Sequence, residues 1–206
     1  MYFSKEHISK LEKIKRINLI NSITGIKPVL LIGTKSNDNI SNLAIFSSIV
    51  HLSSNPPLFG FFIRNNSKIK RDTYENIMEN NVYTFNHIHS VEIRKSHFTS
   101  IKFQKNISEF DRCKFTEQYF ENFSAPFVLE SNVKIGLKLK EVLYPKSNSS
   151  ILIIGEVEHI FLKEKFLDKD FHLNVELSDT ISVGGLNNYY KNYKVITLPY
   201  ARLNQL

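Results

Sequence analysis

Apolar residues recur along this chain with two different periods, and the shorter one dominates. Near the N-terminus Ile8, Leu11, Ile14 and Ile17 stand about one helical turn apart among Lys and Glu. That spacing predicts a short amphipathic helix, or two turns of one, over 4–20. Beyond it the pattern is mostly that of strands. Val29-Leu30-Leu31-Ile32-Gly33-Thr34 is a continuous apolar run opened by Pro28, and the Asn-, Asp- and Ser-rich stretch 35–41 predicts a hairpin turn into a partner strand at about 42–50. Ser53-Ser54-Asn55-Pro56-Pro57 breaks the chain ahead of the strand Leu58-Phe59-Gly60-Phe61-Phe62-Ile63. A helix from Asp72 to about Asn80 carries Tyr74, Ile77 and Met78 on its inner face, and a strand from Val82 to Ile88 follows.

Polar and aromatic residues mix irregularly from Val91 to Ser124, which reads as loops and short helices. Regular alternation returns where Val133, Ile135, Leu137 and Leu139 oppose Lys134, Lys138 and Lys140, a strand with one wet face. Pro145 to Ser150 is a turn, and 151–161 is a long strand that begins fully buried and ends alternating. Strands joined by short turns with few helices between them fit a mainly β protein with peripheral helices, an antiparallel barrel rather than a parallel sheet. The length of 206 residues fits one domain spanning 1–206. Gly-x-Gly-x-x-Gly, the Walker A sequence and His-Glu-x-x-His are all missing, so a bound nucleotide must be held by other means.

Composition narrows the class. Hydrophobic residues at 42% with 16 Phe and 9 Tyr supply a large core. The net charge of +7 is spread among acids rather than gathered in blocks, which leaves nucleic-acid binding the weaker reading. One cysteine excludes an internal disulfide framework, and the mixed-charge N-terminus lacks the apolar segment of a signal peptide, so a reducing, cytoplasmic setting is expected. No apolar run approaches the ~18 residues of a membrane-spanning helix.

The densest local signal is a basic loop ahead of a helix start. Arg64, Lys68, Lys70 and Arg71 are four cations within eight residues without an acid, followed by Asp72 as a helix N-cap, Thr73 in the first turn and Glu75 as a capping-box partner. Free N–H groups, the helix dipole and adjacent cations are the ingredients of a phosphate site; the plain alternative is a solvated basic loop. His87-x-His89 puts two imidazoles on one strand face without a carboxylate or third histidine placed beside them, so no metal site is assigned. Cys113 stands between Arg112 and Lys114, which would lower its pKa if exposed, although a structural thiol is the plainer reading.

Several spaced motifs then coincide. They are Asn42-Leu43-Ala44-Ile45-Phe46-Ser47-Ser48, Asn55-Pro56-Pro57-Leu58, Arg71-Asp72-Thr73-Tyr74-Glu75-Asn76-Ile77, Thr84-Phe85-Asn86-His87, His97-Phe98-Thr99-Ser100, Ser108-Glu109-Phe110, Ala125-Pro126-Phe127-Val128, Ile154-Gly155-Glu156-Val157 and Gly184-Gly185-Leu186. In this order and spacing the chain resembles the flavin reductase-like, FMN-binding split-barrel proteins over roughly 20–202. The resemblance implies a six-stranded antiparallel split barrel acting as a homodimer, with one FMN per subunit near the interface. It implies that Asn42, Ala44, Ser47 and Ser48 lie along the flavin. It implies that Arg71, Asp72 and Thr73 take the phosphate, in agreement with the basic-loop reading that adds Arg64 as a cofactor-binding candidate, and that Asn86, His97, Thr99 and Ser100 stand near the ring or ribityl chain. Phe98 departs from the Gln that many relatives carry there.

On this resemblance the activity is reduction of flavin by NADH or NADPH, with a monooxygenase or another electron acceptor downstream. The cofactor carries the redox chemistry, so no catalytic dyad is required. Ser47 and Ser48 could stabilise negative charge on reduced flavin, or be simple turn polarity. A non-catalytic electron carrier or sensor on the same barrel stays open. The aromatic residues Phe98, Phe103, Phe110, Phe115 and Phe120 have too little local regularity around them to be buried by one chain, which adds to the expectation of a homodimer.

Overall fold

The structure, a computed structural model, describes residues 1–64, 71–120 and 122–203. Its strands are β1 Ile26–Pro28, β2 Leu30–Lys35, β3 Ser41–Phe46, β4 Ile49–Ser54, β5 Pro57–Arg64, β6 Val82–His87, β7 Glu117–Phe120, β8 Phe123–Val128, β9 Lys134–Leu143, β10 Ser150–Phe161, β11 Ile181–Gly184 and β12 Asn188–Lys191. The helices are α1 Lys5–Lys10, α2 Lys13–Ser22, α3 Asp72–Asn80, α4 Ile93–Phe98 and α5 Glu109–Cys113.

A seven-stranded sheet in the order β3-β2-β6-β9-β10-β5-β4, antiparallel at every step, forms the body. It curls on itself. Leu30 and Ile32 of β2 share a core with Phe61 and Ile63 of β5, although three strands separate them in the sheet. Tyr83, Phe85, Leu137, Ile151 and Ile153 complete that core, and Ile77 of α3 plugs it. The Phe61 ring meets Phe46, Tyr83 and Phe85 at centroid distances of 5.1, 5.6 and 5.7 Å. The outward residues of β2 are buried too: Leu31 joins Leu43, Phe110, Phe115, Val128 and Val183 in a second core under α5, β8 and β11. Burial on both faces explains the unbroken apolar run of β2.

The sheet has seven strands where the resemblance implies six, because the partner strand expected at 42–50 is two strands. The chain leaves β3, one edge of the sheet, and enters β4, the opposite edge, after only Ser47 and Ser48. Those two residues span the split in the barrel, and the Phe62 N–H donates to the Ser48 carbonyl at 3.2 Å, which continues the β4–β5 pairing one step beyond Ile49.

Four further expectations are corrected. The helix expected over 4–20 is α1 and α2, separated at Leu11, whose backbone is extended (ψ 141°). The N-cap of α3 is Arg71 rather than Asp72; its carbonyl accepts the Tyr74 and Glu75 N–H groups at 2.9 and 3.0 Å, no side chain caps the helix, and Glu75 pairs with Lys105 at 3.0 Å instead of closing a capping box. Within 91–124 the chain forms α4, α5 and the β7–β8 hairpin; Phe110 and Phe115 are buried and Phe103 and Phe120 pack against the cores, leaving Phe98 exposed. Lys134 is not on a wet face, because the hairpin covers it: its ammonium donates to Gln118 Oε1 and to the Leu129 carbonyl at 3.1 Å. Among the described residues no helix is long and apolar enough to cross a membrane.

Candidate functional site

A groove of about 1100 Å³ opens where the barrel splits. Asn42 and Ala44 of β3, with Ser47 and Ser48, line its base, and the end of β5 at Arg64 with Ser150 of β10 lines one side. Those two residues face each other in the β5–β10 ladder. Arg71, Asp72 and Thr73 enter from the start of α3. The rest of its lining is 99–103 after α4, Glu109 of α5, and Asn21, Lys27 and Leu186 from the N-terminal and β11 region.

Ten of the expected site residues therefore line one groove: Asn42, Ala44, Ser47, Ser48, Arg64, Arg71, Asp72, Thr73, Thr99 and Ser100. Asn86 and His97 stand behind its walls. Asn86 is fully buried, donates to the Leu31 carbonyl and Thr84 Oγ1 at 3.2 and 2.8 Å, and accepts the Val128 N–H at 2.9 Å, so it fastens β8 to the barrel. His97 Nδ1 lies 2.9 Å from the Tyr189 hydroxyl and ties α4 to β12. Lys68 and Lys70 of the basic loop lie outside the described residues.

The hydroxyls of the groove are not equivalent. Ser48, Thr99 and Ser100 donate to the carbonyls of Phe62, Ser96 and His97 at 2.8, 2.8 and 2.7 Å, which leaves their oxygens as acceptors. Thr73 is the reverse. Its Oγ1 accepts from Asn42 Nδ2 at 3.1 Å, and an amide NH₂ can only donate, so the Thr73 proton is left for another partner. Asn42 also donates to Thr34 Oγ1 at 3.2 Å, and Asn76 donates to the same oxygen at 3.1 Å. This buried network fixes Thr73 in the first turn of α3, where the leading N–H groups have no intrahelical acceptor.

Four cations line the groove, Lys27, Arg64, Arg71 and Lys102, and none takes part in an ion pair among the described residues. Elsewhere lysines do pair, Lys95 with Glu92 and Lys140 with Glu156 both at 2.7 Å. Of the two groove acids, Glu109 is committed: its Oε2 accepts the Leu43 N–H at 3.0 Å and so covers the free edge of β3, and burial raises its pKa. Lys27, Lys102 and Glu109 were not assigned to the site from sequence; isolated lysines carry no local signature, although Glu109 stands inside a motif that the resemblance uses.

The remaining candidates do not join the groove. His87 Nδ1 lies 2.9 Å from Thr180 Oγ1 and its ring is held at about 4 by burial, with His89 adding repulsion. His89 Nε2 accepts the Asn132 N–H at 2.8 Å. Cys113 is buried, and burial followed by Glu109 raises its thiol pKa against the opposing pull of Lys95, so the depression expected of an exposed thiol does not arise.

A curled antiparallel sheet split between two edge strands, with a groove along the split lined by four cations and two acids, defines a split barrel. Residues 26–182 match the model of the flavin reductase like domain. The chain belongs to the flavin reductase-like family. A split-barrel protein of the flavin reductase type from Shewanella frigidimarina NCIMB 400 superposes with a TM-score of 0.92 and 39% identity, covering 98% of this chain and all of that one. Nitrilotriacetate monooxygenase component B from Bacillus cereus shares the fold with a TM-score of 0.83 and 21% identity over 96% of this chain and 98% of its own. An uncharacterized protein of Aquifex aeolicus (strain VF5) is 24% identical over 168 residues, 81% of this chain and 85% of that protein.

Proposed function

We propose that the protein binds FMN along this groove and acts as an NAD(P)H-dependent flavin reductase. The observation that carries the reading is the meeting of Arg71, the open first turn of α3 and the Thr73 hydroxyl, whose proton the bond from Asn42 leaves free to donate. Together they offer a charge-assisted donor, backbone N–H groups and a neutral donor to one phosphate. Arg64 adds a second uncompensated cation from the end of β5. Ala44 on the base leaves room for a flat ring, and Ser47, at the split, stands where a donor could meet charge on it. Bound FMN would supply the hydride-accepting centre, and this chain would hold, orient and shield it. Reduced flavin would pass to an acceptor such as a monooxygenase, the kind of system to which the Bacillus cereus component belongs. The working form on this reading is a homodimer.

Arg71→Ala tests the site. Loss of a hydrogen bond to a charged group, worth roughly 1.5–3 kcal/mol, predicts FMN binding weakened about 10- to 150-fold, and Thr73→Val a smaller loss. Riboflavin lacks the phosphate and should bind all three proteins alike. Fluorescence titration measures this, and equal losses for both ligands would remove the phosphate assignment. Steady NADH or NADPH oxidation with added FMN tests the activity; flavin binding without turnover would instead favour a carrier.

A further inference from the structure

The chain ends in an apolar arm that its own fold leaves uncovered. β12 stops at Lys191, and the next residue is fastened to β11: Asn192 Nδ2 donates to the Thr180 carbonyl and Asn192 Oδ1 accepts from Ser182 Oγ, both at 2.8 Å. From there to Arg202 the chain has no regular secondary structure, and among the described residues 193–201 make no hydrogen bond or ion pair. Yet Tyr193, Val195, Ile196, Leu198, Tyr200 and Leu203 are 68–94% exposed. The β-branched Val195, Ile196 and Thr197, and Leu198 ahead of Pro199, favour extended backbone. Residues 193–203 then reach about 36 Å, about twice the ~17 Å radius of gyration of a globule of 206 residues. Two tyrosines and four aliphatic side chains offer roughly 500–1,000 Å² of apolar surface, against the ~800 Å² that one partner gives to a stable interface. Surface of that extent marks an association site.

A second exposed segment leads into the residues that hold the root of the arm. It is 168–177, followed by Asp179, which pairs with Lys191 at 3.6 Å, and Thr180, which binds Asn192. Phe171 there is 81% exposed, and Val175 and Leu177 are exposed as well. Asp168 builds the projection: its Oδ1 accepts the Asp170 and His172 N–H groups, both at 2.9 Å, and Phe171 takes the left-handed backbone (φ 63°) that a bulky residue rarely adopts. The two segments carry opposite charge. The arm has Lys194 and Arg202 and no acid, whereas 168–177 has Asp168, Asp170 and Glu176 against Lys169, with His172 paired to Asp168 at 3.3 Å. Asp168 is committed within its loop, and Asp170 and Glu176 are the exposed acids. Within one chain the arm and this segment leave each other uncovered.

We propose that the arm is a reciprocal clasp: residues 193–203 of one copy lie on 168–177 of a second copy, and the second arm returns the contact. Two-fold symmetry suits the arrangement, because each arm leaves its own subunit next to the segment that receives the other, and both contacts gather around one axis. This rests on the homodimer of the proposed working form and not on the flavin assignment.

The test is sedimentation equilibrium of the full chain and its variants. Ending the chain after Asn192 keeps the root of the arm and should weaken the dimer at least about 100-fold, while the barrel melts as in wild type. Lys194→Glu/Arg202→Glu should weaken it about 5- to 10-fold, as should Asp170→Lys/Glu176→Lys, and the four changes together should restore most of the loss. A shortened protein as dimeric as wild type overturns the clasp and leaves the homodimer standing. Charge reversals whose losses add instead of cancelling overturn the seat on 168–177. A monomeric wild type overturns clasp and homodimer together, and FMN binding by that monomer would leave the flavin assignment intact. Arm-dependent sedimentation of such a monomer with phosphatidylglycerol vesicles would assign the arm to a lipid surface instead.

Discussion

Asn42 and Thr73 lie 31 residues apart in sequence, yet the Asn42 side-chain amide donates to the Thr73 hydroxyl at 3.1 Å inside the protein. The bond joins β3, which lies along the groove base, to the first turn of α3. It also fixes a polarity, because an NH₂ group cannot accept. Asn42→Asp keeps the shape and exchanges the donor for an acceptor, so the Thr73 proton would turn inward to the carboxylate and away from the groove. FMN affinity should fall about 10-fold or more, with a much smaller change for riboflavin. The added charge faces Thr34 as well, so thermal unfolding of the ligand-free variant is the needed control. Affinity for the two flavins falling in parallel would mean that Asn42 supports the groove as a whole and not the orientation of Thr73.

Acid stability should depend on His87. Its ring bonds to Thr180 and burial holds its pKa near 4, against about 6.5 in an unfolded chain. Between these values the unfolded chain binds a proton that the folded protein does not, so unfolding gains as pH falls from 6.5 toward 4. The contribution reaches at most about 3 kcal/mol at the bottom of that window and vanishes above pH 7. His87→Asn, which can still bond to Thr180, should flatten the dependence of Tm on pH between about 4 and 6.5. An unchanged slope, measured by calorimetric melting, would place the acid sensitivity elsewhere.

What could be read in the sequence follows from how local its physical cause is. β2 and β10 are apolar runs because both faces, or their first halves, are buried. The break between β3 and β4 was hidden because Phe46-Ser47-Ser48-Ile49 holds no Gly or Pro; the chain changes edges through two small polar residues. The β7–β8 hairpin escaped because its pairing slips between Gln118 and Phe120, which disrupts alternation, and because Pro126 sits inside β8. The same holds for the site. Arg71 and Thr73 share one helical turn, so their chemistry shows in a short window. Lys27 and Lys102 meet the groove only because β1 and the 99–103 segment converge on it.

The N-terminal helices leave an apolar stripe exposed. Neither α1 nor α2 buries a residue, and Ile14, Ile17 and Ile20 are 61, 39 and 44% exposed at one-turn spacing. A stripe of that kind on a monomer is costly to leave in water. Sedimentation at micromolar concentration should therefore return a dimer, and Ile14→Glu/Ile17→Glu should shift it to monomer while the barrel still melts cooperatively. A monomeric wild type would remove the homodimer.

Tyr83 and Gly155 should prove energetically coupled. A Cβ added to Gly155 would lie 2.1 Å from the Tyr83 hydroxyl and 2.8 Å from its ring carbon, at a register slip between β10 and β9. The missing side chain is the space that the tyrosine tip fills. That hydroxyl is buried without a hydrogen-bond partner among the described residues, and burial drives its pKa upward. Gly155→Ala should therefore cost about 1–3 kcal/mol through overpacking. Tyr83→Phe should be close to neutral or stabilising by about 1 kcal/mol, since an unsatisfied polar group leaves the core. In the double variant the new methyl has lost its nearest obstacle, while the Leu137 Cβ at 3.2 Å still confines it, so rescue should be partial. A double-mutant cycle in urea should give a coupling of about 1 kcal/mol or more. Strict additivity would show that the alanine is accommodated by backbone movement in β10 and that the tyrosine hydroxyl is not what keeps this position glycine.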